Sequence, residues 1–331
     1  MRRLRCAEGL ALLCLAVSIP VTINAVFGEF DRFKPGDSAI TPLLSVELLA
    51  MAVLAGFLGA LMGLGGGIVM VPMLTSVFNL PIHEAVAISI VGVVATGISG
   101  GSAYLRQKMT NIRLAMFLET STTLGALTGA LLALMIPGTF LYLIFSAFAF
   151  YVSISQVRSI KLETKKIRLD GFKKATPDRL SRVLNLSGSY FDKNLGTDVG
   201  YVVRGSIHGW LVSFIAGMGS GLLGIGGGFI KVSAMNLFMN VPLKASIATS
   251  KFMISVTAAT SAMVYFLYGA VRLSYAAPVA IGTTLGASLG AKVMNRLKVK
   301  WLKVVFASIT CYLGYNMLRK GLLLSAGINL P

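Results

Sequence analysis

Two glycine triplets fix what this chain can become. Gly63-Leu64-Gly65-Gly66-Gly67 recurs as Gly224-Ile225-Gly226-Gly227-Gly228, an offset of 161 positions. Without a gap, the same offset aligns Asn79 and Pro81 with Asn240 and Pro242, Thr96 with Thr257, and Tyr104 with Tyr265. It also aligns Thr122-Thr123-Leu124-Gly125-Ala126 with Thr283-Thr284-Leu285-Gly286-Ala287. A register held over so long a stretch marks an internal duplication, and missing it would misread the whole architecture. Four regions follow: an N-terminal span and external loop (1–42), a first transmembrane repeat (43–157), a basic cytoplasmic loop (158–205) and a second repeat (206–331).

The solvent of these repeats is lipid. Apolar residues make up 55% of the chain and charged residues 13%. From Leu114 to Val157 the only ionisable acid or base, Tyr aside, is Glu119, and from Leu273 to Ala291 there is none. Apolar runs of that length are membrane spans. A further stretch, Leu10–Phe27 after Arg2, Arg3 and Arg5, fits a retained span or a signal peptide; its length and the lack of a small-x-small site before Gly28 favour the span. The net charge of +18 sits between apolar runs, so it speaks for orientation and anionic lipid and not for nucleic acid. Cys6, Cys14 and Cys311 imply neither a disulfide framework nor a metal site.

Positive charge places Arg2–Arg5, Arg106–Arg113, Arg158–Arg204 and Lys292–Lys303 on the cytoplasmic side. The segment between them that carries the first triplet must then enter and return, and Ile207–Met239 must do the same from the other side. Leu44–Asn79 as one helix would be about 54 Å long against a hydrocarbon layer of about 30 Å, so something must interrupt it. The expected fold is an all-α integral membrane protein of two inverted-topology repeats with glycine-broken or re-entrant helices, plus an extra N-terminal span.

An unwound triplet at membrane depth exposes amides that lipid cannot satisfy, and a half-helix starting after it aims its positive end at the same place. Gly65, Gly66, Gly67, Gly226, Gly227 and Gly228 are therefore candidate substrate-binding residues. Gly56, Gly125, Gly129, Gly286 and Gly290 are read as close helix packing. Lys231, three residues past the second triplet, adds a point charge that favours an anion; Lys251 and Glu119 are the other ionisable residues inside spans, costly in lipid and functional by default. Their repeat equivalents are Met70, Ile90 and Ala280. For Lys251 snorkelling and anion binding weigh alike. Glu119 reads as a salt-bridge partner of a lysine or as a proton carrier. Thr96 and Thr257 can donate hydroxyls to an oxyanion, and so can Ser99, Ser233 and Ser250, although such groups commonly bond back to their own helix. His83 and His208 sit at span ends, where an interfacial role is the better reading.

The duplicated motif, Val71-Pro72 behind its first copy and the Asn-x-Pro loop in both halves together resemble the sulfite exporter TauE/SafE family. The resemblance covers both halves and implies movement of sulfite, sulfonates or related small organic anions across a bacterial plasma membrane, outward and coupled to an ion gradient, the proton being the candidate. It implies no cofactor, no enzymatic activity and no nucleic-acid partner, and leaves self-association into a homo-oligomer open. The second copy departs from the pattern with Val232-Ser233. A passive anion channel is the alternative. An intramembrane hydrolase ranks lower: Gly97-Ile98-Ser99-Gly100-Gly101 fits G-x-S-x-G, but neither histidine lies clearly within a span to act as its base.

Overall fold

Each half folds into the same five helices. The computed structural model describes residues 41–63, 65–163, 176–192, 196–293 and 299–326. The span expected over Leu10–Phe27, with Cys6 and Cys14, lies outside the described residues, as does 164–175 of the basic segment. The first half comprises α1 (Pro42–Met62), α2 (Gly67–Ser76), α3 (Ile82–Arg106), α4 (Ile112–Met135) and α5 (Gly138–Glu163). The joining segment holds a single-turn α6 (Arg179–Val183) and strands β1 (Gly188–Asp192) and β2 (Thr197–Tyr201). The second half comprises α7 (Ser206–Leu223), α8 (Gly228–Leu237), α9 (Leu243–Leu267), α10 (Leu273–Val293) and α11 (Val299–Ala326). From α2 onward each first-half helix has a counterpart that begins 161 positions later. Six described helices (α1, α3, α4, α5, α7 and α9) are long and apolar enough to cross a membrane; the protein is an integral membrane protein, and one hairpin is the only strand structure among the described residues.

The helices end where the sequence gives them reason to. Pro42 opens α1, where its missing N–H is no loss. Gly63 closes it in the left-handed region at φ 74, its N–H turned back to the Ala60 carbonyl. The Asn111 side chain caps α4 by accepting from the Leu114 N–H at 3.1 Å. After Gly63 the chain doubles back: a Cβ on Gly66 would stand 2.9 Å from the carbonyl oxygen of Ala55, whereas an unbroken helix would carry residue 66 about 16 Å beyond residue 55. The returning α2 and α8 have 10 residues each, about 15 Å and too short to cross alone.

The halves interlock through their glycines. A Cβ on Gly125 of α4 would stand 2.2 Å from the Phe214 carbonyl oxygen of α7, and one on the equivalent Gly286 of α10 would stand 2.0 Å from that of Val53 in α1. Lipid supplies no hydrophobic drive between helices, so backbone contact of this kind carries much of their association. Counterpart helices run antiparallel. Along α3 and α9, Gly97 faces Ser255 while Gly101 faces Phe252. Along α5 and α11, Ser153 donates to the Ala307 carbonyl at 2.8 Å while Gly314 faces Ala149 and Gly321 faces Leu143. In both pairs the counterparts of the two halves thus pack in opposite directions.

The joining segment differs from the solvated loop that its composition suggests. β1 and β2 pair antiparallel, Gly188 opposite Tyr201 and Asp192 opposite Thr197. Leu186, Tyr190, Val199, Tyr201 and Val203 are buried in one cluster with Leu114 and Leu118 of α4, Met235 of α8 and Met253 of α9. The alternation Val199-x-Tyr201-x-Val203 supplies that apolar face. At roughly 1.5–3 kcal/mol for each large apolar side chain removed from water, this contact holds the hairpin to the bundle.

Candidate functional site

The two glycine breaks meet. Gly66 and Gly227 stand immediately before α2 and α8 with φ 87 and φ 63, a backbone that side-chain-bearing residues rarely adopt. A Cβ on Gly67 would stand 2.0 Å from the Gly224 carbonyl oxygen, so the loops touch backbone to backbone. Gly65 and Gly226 share the left-handed conformation, at φ 82 and 79. Hydroxyls secure the carbonyl side of the breaks: Thr96 Oγ1 donates to Gly65 O at 2.7 Å, Ser89 Oγ to Gly224 O at 3.0 Å and Ser250 Oγ to Gly228 O at 3.2 Å. The amide side belongs to the first turns of α2 and α8, whose leading N–H groups have no partner within their own helix. Neither cap residue offers them a side-chain acceptor.

Charge gathers on one side of this junction. Lys231, fully buried in the first turn of α8, donates from Nζ to Thr257 Oγ1 at 2.5 Å. Thr257 Oγ1 in turn lies 2.7 Å from Glu119 Oε1 and 2.9 Å from the Met253 carbonyl; with one proton it donates to one of them at a time. Thr122 Oγ1 stands 3.4 Å from the same hydroxyl, and Thr123 Oγ1 donates to Glu119 Oε1 at 3.4 Å. Glu119 Oε2 is buried with no hydrogen-bond partner. Lys231 Nζ and Glu119 Oε1 thus meet at the Thr257 hydroxyl, and burial makes the unpartnered second oxygen of Glu119 costly. Thr96, the equivalent of Thr257, binds its own break; Thr257 has been diverted to the charged pair.

Lys251 does not snorkel. Its side chain, 1% exposed, crosses from α9 to the first break, where Nζ donates to Gly59 O at 3.3 Å. Gly59 lies in the last turn of α1, where its carbonyl also accepts from the Gly63 N–H, and a cation there meets the negative end of the helix dipole. The second half thus lends a lysine to the break of the first. A cavity of about 560 Å³ lined by Ser99, Ser102, Arg106, Thr284 and Ser288 lies on another face of α3, away from the charged group. Ser99 and Ser288 bond each other there at 2.9 Å.

The structure therefore brings Lys231, Thr257 and Glu119 together, sets Lys251 and Thr96 at the first break, and packs the two triplets against each other. Sequence reasoning did not single out Thr122 and Thr123 as partners of Glu119, although both stand in the repeated Thr-Thr-Leu-Gly-Ala run and within one helical turn of it. It also passed over Asn111 and the pair Glu84–Arg272, joined at 2.8 Å across 188 positions.

Known proteins agree with a transport role. The chain is 26% identical over 284 residues to the probable membrane transporter protein YunE of Bacillus subtilis, covering 84% of this chain and 98% of that one. It is 24% identical over 262 residues to the probable membrane transporter protein YdhB of the same organism, covering 79% and 93%. It is 25% identical over 297 residues to the probable membrane transporter protein MJ0441 of Methanocaldococcus jannaschii, covering 83% and 96%. No solved structure matches significantly. The family model described as sulfite exporter TauE/SafE matches residues 48–317, a span that takes in both glycine breaks and Lys231, Lys251 and Glu119. This chain belongs to the sulfite exporter TauE/SafE family and is a multi-pass membrane transporter.

Proposed function

We propose that the protein is a secondary transporter that carries small anions such as sulfite or sulfonates outward across a bacterial plasma membrane, by alternating access at the interface of two inverted halves. The observation that carries this reading is the meeting of two glycine breaks with Lys231 in the first turn beyond one of them, tied through Thr257 to Glu119. Helix dipole and ammonium favour an anion at the same spot. In the conformation described the loops touch, so the site is closed, and an anion reaching Lys231 must displace Glu119. A proton on Glu119 would cancel its claim on Lys231, which makes Glu119 the coupling group and the proton the coupling ion. Lys251, Thr96 and the triplets Gly65–Gly67 and Gly226–Gly228 hold the two breaks in place for that exchange.

The test is reconstitution in liposomes loaded with sulfite or a sulfonate. Wild type should show saturable efflux and counterflow, and Lys231→Ala should lose both. Equal saturable efflux in the two proteins would remove Lys231 from the mechanism, while unsaturable flux without counterflow would make the protein a channel.

A further inference from the structure

The two ends of the bundle are closed by different latches at one repeated position. Asn111 and Arg272 stand 161 positions apart, each immediately before the helix that carries the Thr-Thr-Leu-Gly-Ala run. Arg272 Nη2 donates to Glu84 Oε1 at 2.8 Å and so ties the start of α10 to the first turn of α3. The equivalent of Glu84 is Ala245, so Asn111 has no acid to meet at its own end. The hairpin takes the place of that acid: Asn111 Nδ2 donates to Leu186 O at 2.7 Å and to Tyr201 Oη at 3.0 Å. The Asn111 backbone N–H also donates to Thr249 Oγ1 at 3.1 Å, tying the start of α4 to α9.

The hairpin lies across the route from the charged group to its end of the bundle. Ala115 precedes Glu119 by one helical turn, Met253 precedes Thr257 by one turn, and Met235 follows Lys231 by one turn. All three are buried in the cluster that Tyr190, Val199 and Tyr201 complete. At the opposite end the positions equivalent to Met235 and Leu118 are Leu74 and Val279, buried in the main core, with Glu84 and Arg272 beyond them. Glu84 Oε2 has no hydrogen-bond partner, so the ion pair rests on one oxygen, and a single-oxygen pair is weaker than a bidentate one and easier to part.

We infer that the Glu84–Arg272 ion pair and the Asn111–hairpin bonds are the two gates of the transport path, one at each end and both shut in this conformation. The joining segment is thereby part of the transport machinery. The inference rests on the transporter reading for its purpose, but its geometry is independent of the cargo. A carrier must open one gate while the other holds, so loosening either gate biases the protein toward that side.

The experiment uses the full chain with Cys6, Cys14 and Cys311 changed to serine, since Cys311 is exposed. Met235→Cys serves as a buried reporter under the hairpin, labelled with a membrane-impermeant maleimide. Asn111→Ala should raise its labelling rate at least about fivefold, and Glu84→Gln should lower it, because the two gates oppose each other. A second arm joins Asn111→Cys to Gly188→Cys by oxidation, with formation of the disulfide checked by mass spectrometry; a Cβ on Gly188 would stand 3.1 Å from Asn111 Nδ2, so the two side chains adjoin. The disulfide should block labelling and the counterflow of a sulfonate, used because sulfite itself cleaves disulfides, and reduction followed by removal of the reductant should restore both. Full counterflow with the disulfide formed, or labelling changed in the same direction by Asn111→Ala and Glu84→Gln, overturns the inference. Counterflow missing from the unlinked parent would strike the proposed cargo instead, and the labelling directions would still decide the gates.

Discussion

Lys231 and Glu119 should behave as one unit held by Thr257, and a double-mutant cycle measures how tightly. Nζ of Lys231 and Oε1 of Glu119 lie 2.5 and 2.7 Å from the same hydroxyl. The two charges are therefore at most about 5 Å apart, worth ~3 kcal/mol at an effective dielectric constant near 20. Removing either partner alone leaves an uncompensated buried charge at a cost of about 3–5 kcal/mol. Lys231→Met and Glu119→Gln should each lower stability by that much, while the double variant should be less unstable than the sum by about 3 kcal/mol. The assay is denaturant unfolding of the purified protein in detergent, followed by near-UV circular dichroism. Additive losses would refute the reasoning: the pair would then be uncoupled, and Glu119 would have no hold on the lysine for a proton to release.

Three further outcomes follow from the structure. Gly67→Ala puts a methyl 2.0 Å from the Gly224 carbonyl oxygen, against backbone that cannot swing aside, and should cost about 3 kcal/mol and abolish counterflow. Gly219→Ala, on α7 with nothing within 4 Å of the added carbon, should instead stabilise by about 0.5–1 kcal/mol in a thermal melt. Burial pushes the Tyr201 phenol above its ordinary value, with the Asn111 hydrogen bond pulling partway back. The folded protein therefore keeps a proton that the unfolded chain gives up, so stability from this group is intact below about pH 10 and is lost as pH rises through the raised value. Alkaline loosening of the hairpin, read by Met235→Cys labelling, should be smaller in Tyr201→Phe; an identical alkaline profile would show that Tyr201 does not hold the hairpin.

The five-helix plan was legible because each of its determinants is local or repeated. A 161-residue offset carries the helix starts from one half to the other, and Gly63 and Gly224 stop their helices wherever the chain is placed. The packing glycines were legible for the same reason: Gly125 and Gly286 recur in a run whose spacing only a helix contact uses. The target of Lys251 was not legible. It is a backbone carbonyl 192 positions away, and every residue presents the same carbonyl to a sequence reader. The hairpin was hidden by its setting. Its two strands have five residues each, inside a segment with 11 Lys or Arg and 5 Asp or Glu, and the alternation at Val199, Tyr201 and Val203 spans too few positions to outweigh that composition.

The backbone is symmetric and the charge is not, and the two facts serve different needs. Under the alternating access proposed above, antiparallel halves built on one plan would let each half adopt what the other has just left. Identical side chains would also make two equivalent binding sites, and a single cargo could then stall at either. The chain avoids this by placing both lysines in the second half and setting Met70, Ile90 and Ala280 opposite Lys231, Lys251 and Glu119. Met70 and Ile90 are themselves fully buried, so the first half is packed with apolar side chains where the second half carries its lysines. The gates follow the same logic. Arg272 and Asn111 share a position, yet the first makes an ion pair and the second makes neutral hydrogen bonds beside an apolar cluster. Under the proposed gating, closures of unequal chemistry on equal frames let the two end states differ in stability, while net direction comes from the gradients of cargo and coupling ion.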